Sequence, residues 1–465
     1  MSLISRRRLV QGAAAALGAA QLGASSNRPP NFVVVIADDL GWGDLKCYGN
    51  PWVKTPSLDR LAQEGTLYTH GYACSPVCSS SRAGMITGRF PSRDRVFSWI
   101  GNPEARKPTI NSERGMPDWL DPAAPSVART LRERGYRTAV FGKWHLGEGS
   151  APDPGAYGFD VYRVSSGNGP AFKDSPFRPV SSERIVDASL EFITANAASP
   201  FMVKVWFMDP HVPLEPPQAL LDQYPNVAGL LKTYCASVTG MDQHIGRLVA
   251  GIDALGLGRD TLILFASDNG PVGSLLPDDP TAGGGTAGPF RGMKGSLYEG
   301  GIRVPWIARW PGTVPPGKVD NESIWSGVDF HPTLASLAGG SVPEGLDGDD
   351  RSAALRGPSS TRRPLFWDWR SAPVFRPAIH ASPILAMREG KWKFYVNPDG
   401  SRKELYDVVA DPGEVDNRLD VEPKQAEKML TPTLAYWKSL PEGAMQPKAG
   451  EVNYPWPTEK VKKKG

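Results

Sequence analysis

Ser75-Pro76-Val77-Cys78-Ser79-Ser80-Ser81-Arg82-Ala83-Gly84-Met85-Ile86-Thr87-Gly88-Arg89 sets a thiol at the predicted start of a helix, with Arg82 one turn later on the same face. Three serines follow the thiol, and serine is a favoured cap for exposed helix N–H groups. A helix N-terminus attracts anions, and Arg82 adds a fixed positive charge beside the thiol. This chemistry suits a nucleophile that attacks an oxyanion ester. The same residues also suit a buried cysteine in a helix with a surface arginine, because free cysteine often packs as a small hydrophobe. Taken alone, the stretch leaves both readings open.

Outward from it, short apolar runs alternate with helical patterns. Residues 32–37, 138–141, 201–207 and 262–266 read as buried strands, and 57–64, 127–134, 183–195 and 234–255 as helices. The alternation predicts an α/β fold, a large and mostly parallel sheet covered by helices on both faces. In such sheets ligands bind beyond the carboxyl ends of the strands. Asp38-Asp39 follow the first predicted strand, Lys143-Trp144-His145 the second, Asp209-Pro210-His211 the third and Asp268-Asn269-Gly270 the fourth. Each cluster alone reads as a turn or helix cap. Four of them at matching strand ends, in a chain that also holds Cys78 and Arg82, predict one shared site. Asp38, Asp39, Asp268 and Asn269 offer hard oxygen donors, which select calcium or magnesium over zinc or copper.

Beyond Gly339 the composition shifts. Proline, glycine and charge dominate 341–364, short strand-like pieces follow at 364–369, 384–388 and 392–396, and a helix is predicted near 424–437. This is the pattern of a smaller C-terminal α+β subdomain. The tail at 460–465 is a basic run expected to be disordered.

The chain has 465 residues and a formal net charge of +3, enough length for more than one domain and too little charge to indicate nucleic acid or an anionic membrane surface. Ser5-Arg6-Arg7-Arg8-Leu9-Val10 precedes an Ala/Gly-rich apolar stretch over 12–24, which fits a bacterial twin-arginine export signal, with an ordinary secretory signal or short anchor as the alternative. That stretch falls short of the roughly 20 apolar residues that span a bilayer. No later run is long enough, so a soluble periplasmic or secreted protein is expected. The four cysteines, Cys47, Cys74, Cys78 and Cys235, are too few for a disulfide scaffold and lack a second pair at zinc spacing.

Residues 78–88 resemble the signature of the type I, formylglycine-dependent sulfatases of the alkaline phosphatase-like superfamily, whose usual form is Cys-x-Pro-Ser-Arg, a short apolar run and Thr-Gly-Arg. Ser80 stands where that pattern has proline or sometimes alanine. Gly142-Lys143-Trp144-His145-Leu146-Gly147 is similar to a second block of the family. Arg291-Gly292-Met293-Lys294-Gly295-Ser296-Leu297-Tyr298-Glu299-Gly300-Gly301-Ile302-Arg303-Val304-Pro305 is similar to a third, and Leu405-Tyr406-Asp407 with Asp411-Pro412 and Asn417 to the closing segment. The blocks come in family order across nearly the whole chain. The boundaries expected are an export signal over 1–26, a catalytic sulfatase domain over 27–340 and a C-terminal subdomain over 341–465.

The resemblance implies an arylsulfatase-like sulfuric ester hydrolase in which a maturation enzyme converts Cys78 to formylglycine. It also implies one calcium ion held by Asp38, Asp39, Asp268, Asn269 and the modified Cys78. Asp268 is then the base for attack on sulfur, and Arg82 steadies the hydrated aldehyde. Lys143 and Lys294 hold sulfate oxygens, His211 with Lys294 gives a proton to the departing alcohol, and His145 takes one as sulfate is expelled. A sulfated carbohydrate is the expected substrate rather than a sterol sulfate, with loops 94–117 and 275–289 shaping its pocket. Two other readings are a phosphate or phosphonate ester hydrolase of the same superfamily, and an unmodified homologue that only binds sulfated glycans.

Overall fold

The computed structural model describes residues 28–168, 171–173, 176–273, 284–359, 363–371 and 380–451. The export signal, the basic tail and most of loop 275–289 lie outside the described residues.

Eight strands form the large sheet: β1 (Asn31–Ala37), β2 (Thr66–Tyr72), β3 (Arg137–Lys143), β4 (Val161–Ser165), β5 (Phe201–Trp206), β6 (Thr261–Ser267), β7 (Arg303–Arg309) and β8 (Lys318–Ser326). Their order is β4-β3-β5-β1-β6-β7-β2-β8. Only β7 runs against its neighbours; every other pairing in this sheet is parallel. The principal helices are α1 (Pro56–Gln63), α2 (Cys78–Thr87), α3 (Val127–Arg132), α4 (Ser181–Ala195), α5 (Gly229–Ala254) and α6 (Phe330–Leu337).

Side chains of a strand alternate between faces, so a strand covered on both sides is apolar throughout. In β1, Phe32, Val34 and Ile36 pack with Leu262, Leu264, Val127, Leu131, Ile86 and Leu334 on one face. Val33, Val35 and Ala37 pack with Ile263, Phe265, Ile185, Ile193, Met241 and Leu248 on the other. Each such aliphatic side chain, fully withdrawn from water, contributes about 1.5–3 kcal/mol. The sheet is therefore held from both sides.

A second sheet, β9 (Leu365–Asp368), β10 (Leu385–Glu389), β11 (Trp392–Val396) and β12 (Glu404–Asp407), is antiparallel in the order β12-β11-β10-β9. Helix α7 (Pro423–Ser439) covers one face through Ala426 and Met429. The other face packs Trp367, Ala386 and Tyr395 on Tyr72, Leu297, Tyr298 and Ile302 of the large sheet's surroundings. Lys393 reaches across this junction, its Nζ donating to Leu297 O at 2.9 Å and pairing with Glu299 Oε1 at 2.7 Å. Both Lys393 and Glu299 are wholly buried.

Candidate active site

The strands β3, β5, β1 and β6 are consecutive neighbours and parallel, so the residues after them emerge at one edge a strand spacing of roughly 4.8 Å apart. Asp38 and Asp39 leave β1, Asp268 and Asn269 leave β6, and Asp209 to His211 follow β5 by a short turn. Lys143 is the last residue of β3 rather than the first beyond it. Reversed β7 begins at this edge, which brings the preceding segment with Lys294 to the same place.

Helix α2 starts at Cys78, and all ten of its residues are buried. The serines do not cap it, contrary to the local expectation. Val77, in extended backbone, occupies the N-cap with no side-chain bond. Tertiary acceptors and donors claim the hydroxyls instead: Ser79 Oγ accepts from Ile100 N at 2.9 Å, Ser81 Oγ accepts from Cys74 N at 3.1 Å, and Ser80 Oγ donates to Ser75 Oγ at 2.8 Å. Gly84 is required by packing, since a Cβ there would stand 2.7 Å from Cys74 Sγ.

Arg82 is not a surface residue; it is fully buried. Its Nε and Nη2 lie 2.9 and 2.7 Å from Asp268 Oδ2, its Nη1 donates to Lys143 O at 2.7 Å, and its guanidinium sits 5.0 Å over the Trp206 ring. Lys143 Nζ lies 2.6 Å from Asp38 Oδ2, and Lys294 Nζ lies 2.6 Å from Asp39 Oδ1. Asn269 Nδ2 donates to Asp39 Oδ1 at 2.7 Å, and Asp39 N donates to Asp268 Oδ1 at 3.2 Å. His211 Nε2 lies 3.5 Å from Asp39 Oδ2. Asp39 and His145 both hold positive φ, 64° and 58°, a region sparsely used by residues other than glycine. His145 N donates to Ser166 O at 2.8 Å, while its buried Nδ1 has no hydrogen-bond partner among the described residues.

Three cations thus face three carboxylates, and the protonation states follow from who faces whom. Burial alone would raise the Asp38 carboxyl, yet Lys143, His211, Arg82 and Lys294 together hold it well below its usual value. Asp39 is lowered on the same balance, against burial, by Lys294 and His211. Asp268 goes the other way, to about 7, because burial and the neighbouring Asp38 charge outweigh Arg82. Burial opposes the Lys294 ammonium, but the Asp39 contact wins and raises it. Burial and Lys143 push His145 well down, and burial lowers His211 against the pull of Asp39. The Cys78 thiol is raised by burial in spite of Lys143 and Lys294. An unmodified thiol there is held protonated, the opposite of an activated thiolate.

The donor set also fits a hard cation. Among the described residues, Asp38 Oδ1 and Asn269 Oδ1 are buried oxygens without a hydrogen-bond partner. Asp38, Asp39 and His211 bring ligand atoms within 4.8 Å of one another. The strand-end pattern puts His211 in the shared site but does not signal it as a candidate ligand beside the two carboxylates. All ten predicted site residues are gathered at this edge.

Residues 30–341 match the family model described as Sulfatase, and residues 292–437 match that described as N-sulphoglucosamine sulphohydrolase, C-terminal. Steryl-sulfatase of Mus musculus is 34% identical over 422 residues, covering 71% of this chain and 65% of that protein. N-acetylgalactosamine-6-sulfatase of Canis lupus familiaris is 33% identical over 386 residues, covering 76% and 71%. The crystal structure of Ps i-CgsB in complex with k-i-k-neocarrahexaose superposes with a TM-score of 0.74 at 25% identity, covering 89% of this chain and 93% of that one.

Proposed function

The chain belongs to the sulfatase family of sulfuric ester hydrolases, and on that premise we propose that it hydrolyses the sulfate ester of a sulfated carbohydrate. The observation that carries this is the convergence of Cys78, Arg82, Lys143 and Lys294 on Asp38, Asp39, Asp268 and Asn269 at one sheet edge. A sugar is favoured because one relative is named for an N-acetylgalactosamine sulfate and one similar structure holds a neocarrahexaose.

Formylglycine at position 78, hydrated, would supply the hydroxyl that attacks sulfur, which a raised, protonated thiol cannot do. Calcium, held by the oxygens of Asp38, Asp39, Asp268 and Asn269 with the modified Cys78, would supply Lewis-acid polarisation of the sulfate. The chain's own groups do the rest. Asp268, held by Arg82 beside position 78, is placed to take a proton from the attacking hydroxyl. Lys143 and Lys294 bind sulfate oxygens as negative charge grows. His211 protonates the departing alcohol oxygen. His145, neutral because of burial and Lys143, takes the proton that releases sulfate.

In this reading residues 27–340 form the catalytic domain, 341–465 the C-terminal subdomain, and 1–26 an export signal to the periplasm or beyond. A formylglycine-generating enzyme is the required partner. Among the described residues no helix is long and apolar enough to cross a membrane. The decisive experiment is mass spectrometry of the Cys78 peptide alongside turnover of matched sulfate and phosphate monoesters. Formylglycine with preference for sulfate supports the proposal; an intact thiol in a protein that still turns over ester, or preference for phosphate, overturns it.

A further inference from the structure

One side chain grips the loop that carries His211. The loop reads Met208-Asp209-Pro210-His211-Val212-Pro213. Its prolines have no N–H, so its carbonyls need donors from elsewhere. Arg178, in the turn that leads into α4, supplies them. Its Nη1 donates to Met208 O at 2.9 Å, its Nη2 to His211 O and to Pro213 O at 3.0 Å, and its Nε to Pro213 O at 3.2 Å. Nη2 also lies 3.9 Å from Asp209 Oδ1, and Ser182, in the first turn of α4, donates to Asp209 Oδ2 at 2.6 Å. The guanidinium therefore bonds main chain before, at and after His211. Beyond it, His211 Nδ1 meets Val212 O and Nε2 is aimed at Asp39.

We propose that Arg178 is a positioning residue for proton delivery, holding His211 Nε2 where the ester oxygen departs. The inference rests on the reading of His211 as proton donor. When the S–O bond breaks, its electron pair stays on the ester oxygen, which takes the Nε2 proton of the imidazolium and leaves His211 neutral with its remaining proton on Nδ1. Val212 O at Nδ1 and Asp39 Oδ2, 3.5 Å from Nε2, favour that doubly protonated form against burial. A displaced imidazole leaves that oxygen to depart as the bare anion. An acidic phenol tolerates this; a sugar alcohol, far less acidic, does not. Lysine cannot replace arginine here, because one ammonium does not present a planar fork to carbonyls on both sides of the histidine.

The test compares Arg178→Met, Arg178→Lys, His211→Asn and the Arg178→Met/His211→Asn double variant in the full chain. The substrates are 4-nitrophenyl sulfate and a sulfated monosaccharide that the parent turns over. Both Arg178 variants should lose kcat on the sugar by on the order of 10- to 100-fold and on the aryl ester by no more than about 3-fold, with KM little changed. His211→Asn should discriminate in the same direction, and the double variant should be no slower than His211→Asn alone. If His211→Asn discriminates but Arg178→Lys and Arg178→Met slow both substrates equally, or if the double variant is slower still, the positioning role is overturned while the proton donor stands. If His211→Asn fails to discriminate, the proton-donor reading falls, and the inference with it. Should the methionine variant not fold, the lysine variant carries the same comparison.

Discussion

Lys294 straddles both oxygens of Asp39: Nζ lies 2.6 Å from Oδ1 and 2.7 Å from Oδ2, with both side chains buried. A buried carboxylate in this state is tolerated only because the positive charge is in contact with it. In the proposed mechanism a divalent cation drawn to the same oxygens would compete with the ammonium for Asp39, and an ammonium released from Asp39 would be free to take a sulfate oxygen. Metal binding and substrate binding would then be linked through one lysine.

Prolonged chelation should remove activity, and calcium should return it. Asn269→Ala, which deletes a buried oxygen that has no hydrogen-bond partner among the described residues, should weaken calcium retention by roughly 10- to 100-fold. Metal content after dialysis measures this independently of turnover. Restoration by zinc where calcium fails would show that the oxygen set has been misassigned.

Cys78→Ala should abolish sulfatase activity and leave the fold intact, at a stability cost of about 1 kcal/mol. The side chain is small and 2% exposed, so its loss opens little space. Near-parental activity in a folded variant would sink the mechanism.

Ser80→Pro should raise the formylglycine fraction and the specific activity together, with turnover per modified site nearly unchanged. The folded chain accepts the change because the first i to i−4 bond of α2 runs from Ser81 N to Val77 O, so position 80 gives up no helical bond. The Ser80 hydroxyl bonds to Ser75 Oγ at 2.8 Å and, at a long 3.4 Å, to Val77 O are lost, about 1 kcal/mol. Full conversion of the parent on co-expression with a maturation enzyme defeats this prediction.

Lys204 should make stability rise with pH. Its ammonium is buried in β5 with one acceptor among the described residues, Met85 O at 2.9 Å, and the rings of Trp206 and Phe330 at 5.1 and 6.0 Å. Burial, with a smaller push from Arg82, lowers it to about 7. An unfolded lysine keeps its proton to about pH 10.4. Between these values the unfolded chain binds more protons, so the folding free energy improves as pH rises, by up to about 1.4 kcal/mol per unit. Lys204→Met should flatten that slope and be more stable than the parent at pH 7. Denaturant midpoints across the range read both effects; equal slopes in the two proteins refute the assignment.

The strands β1, β3, β5 and β6 are legible in sequence because burial on both faces makes them continuous apolar runs. β2, Thr-Leu-Tyr-Thr-His-Gly-Tyr, mixes hydroxyls and glycine, and the first half of β8 is mostly exposed at the sheet edge, so neither stands out. The reversal of β7 has no local signature at all, since direction is fixed by the connection and not by composition. For the site, strand-end residues and the family blocks name the groups that converge. The serine caps mislead because hydroxyls on a buried helix answer to the neighbouring loops. Arg178 is invisible for a different reason: its partners are carbonyls, which every residue has.

The burial of α2 along its whole length has a temporal consequence. A maturation enzyme of the proposed kind, reading a linear peptide around Cys78, would reach it only until the sheet closes over it. Conversion and folding would then compete, and the active fraction of a preparation would be the outcome of a race between two rates. Export machinery that carries folded cargo would freeze that outcome on the cytoplasmic side. Conditions that slow folding should therefore yield more active protein per chain, with the active molecules themselves unchanged.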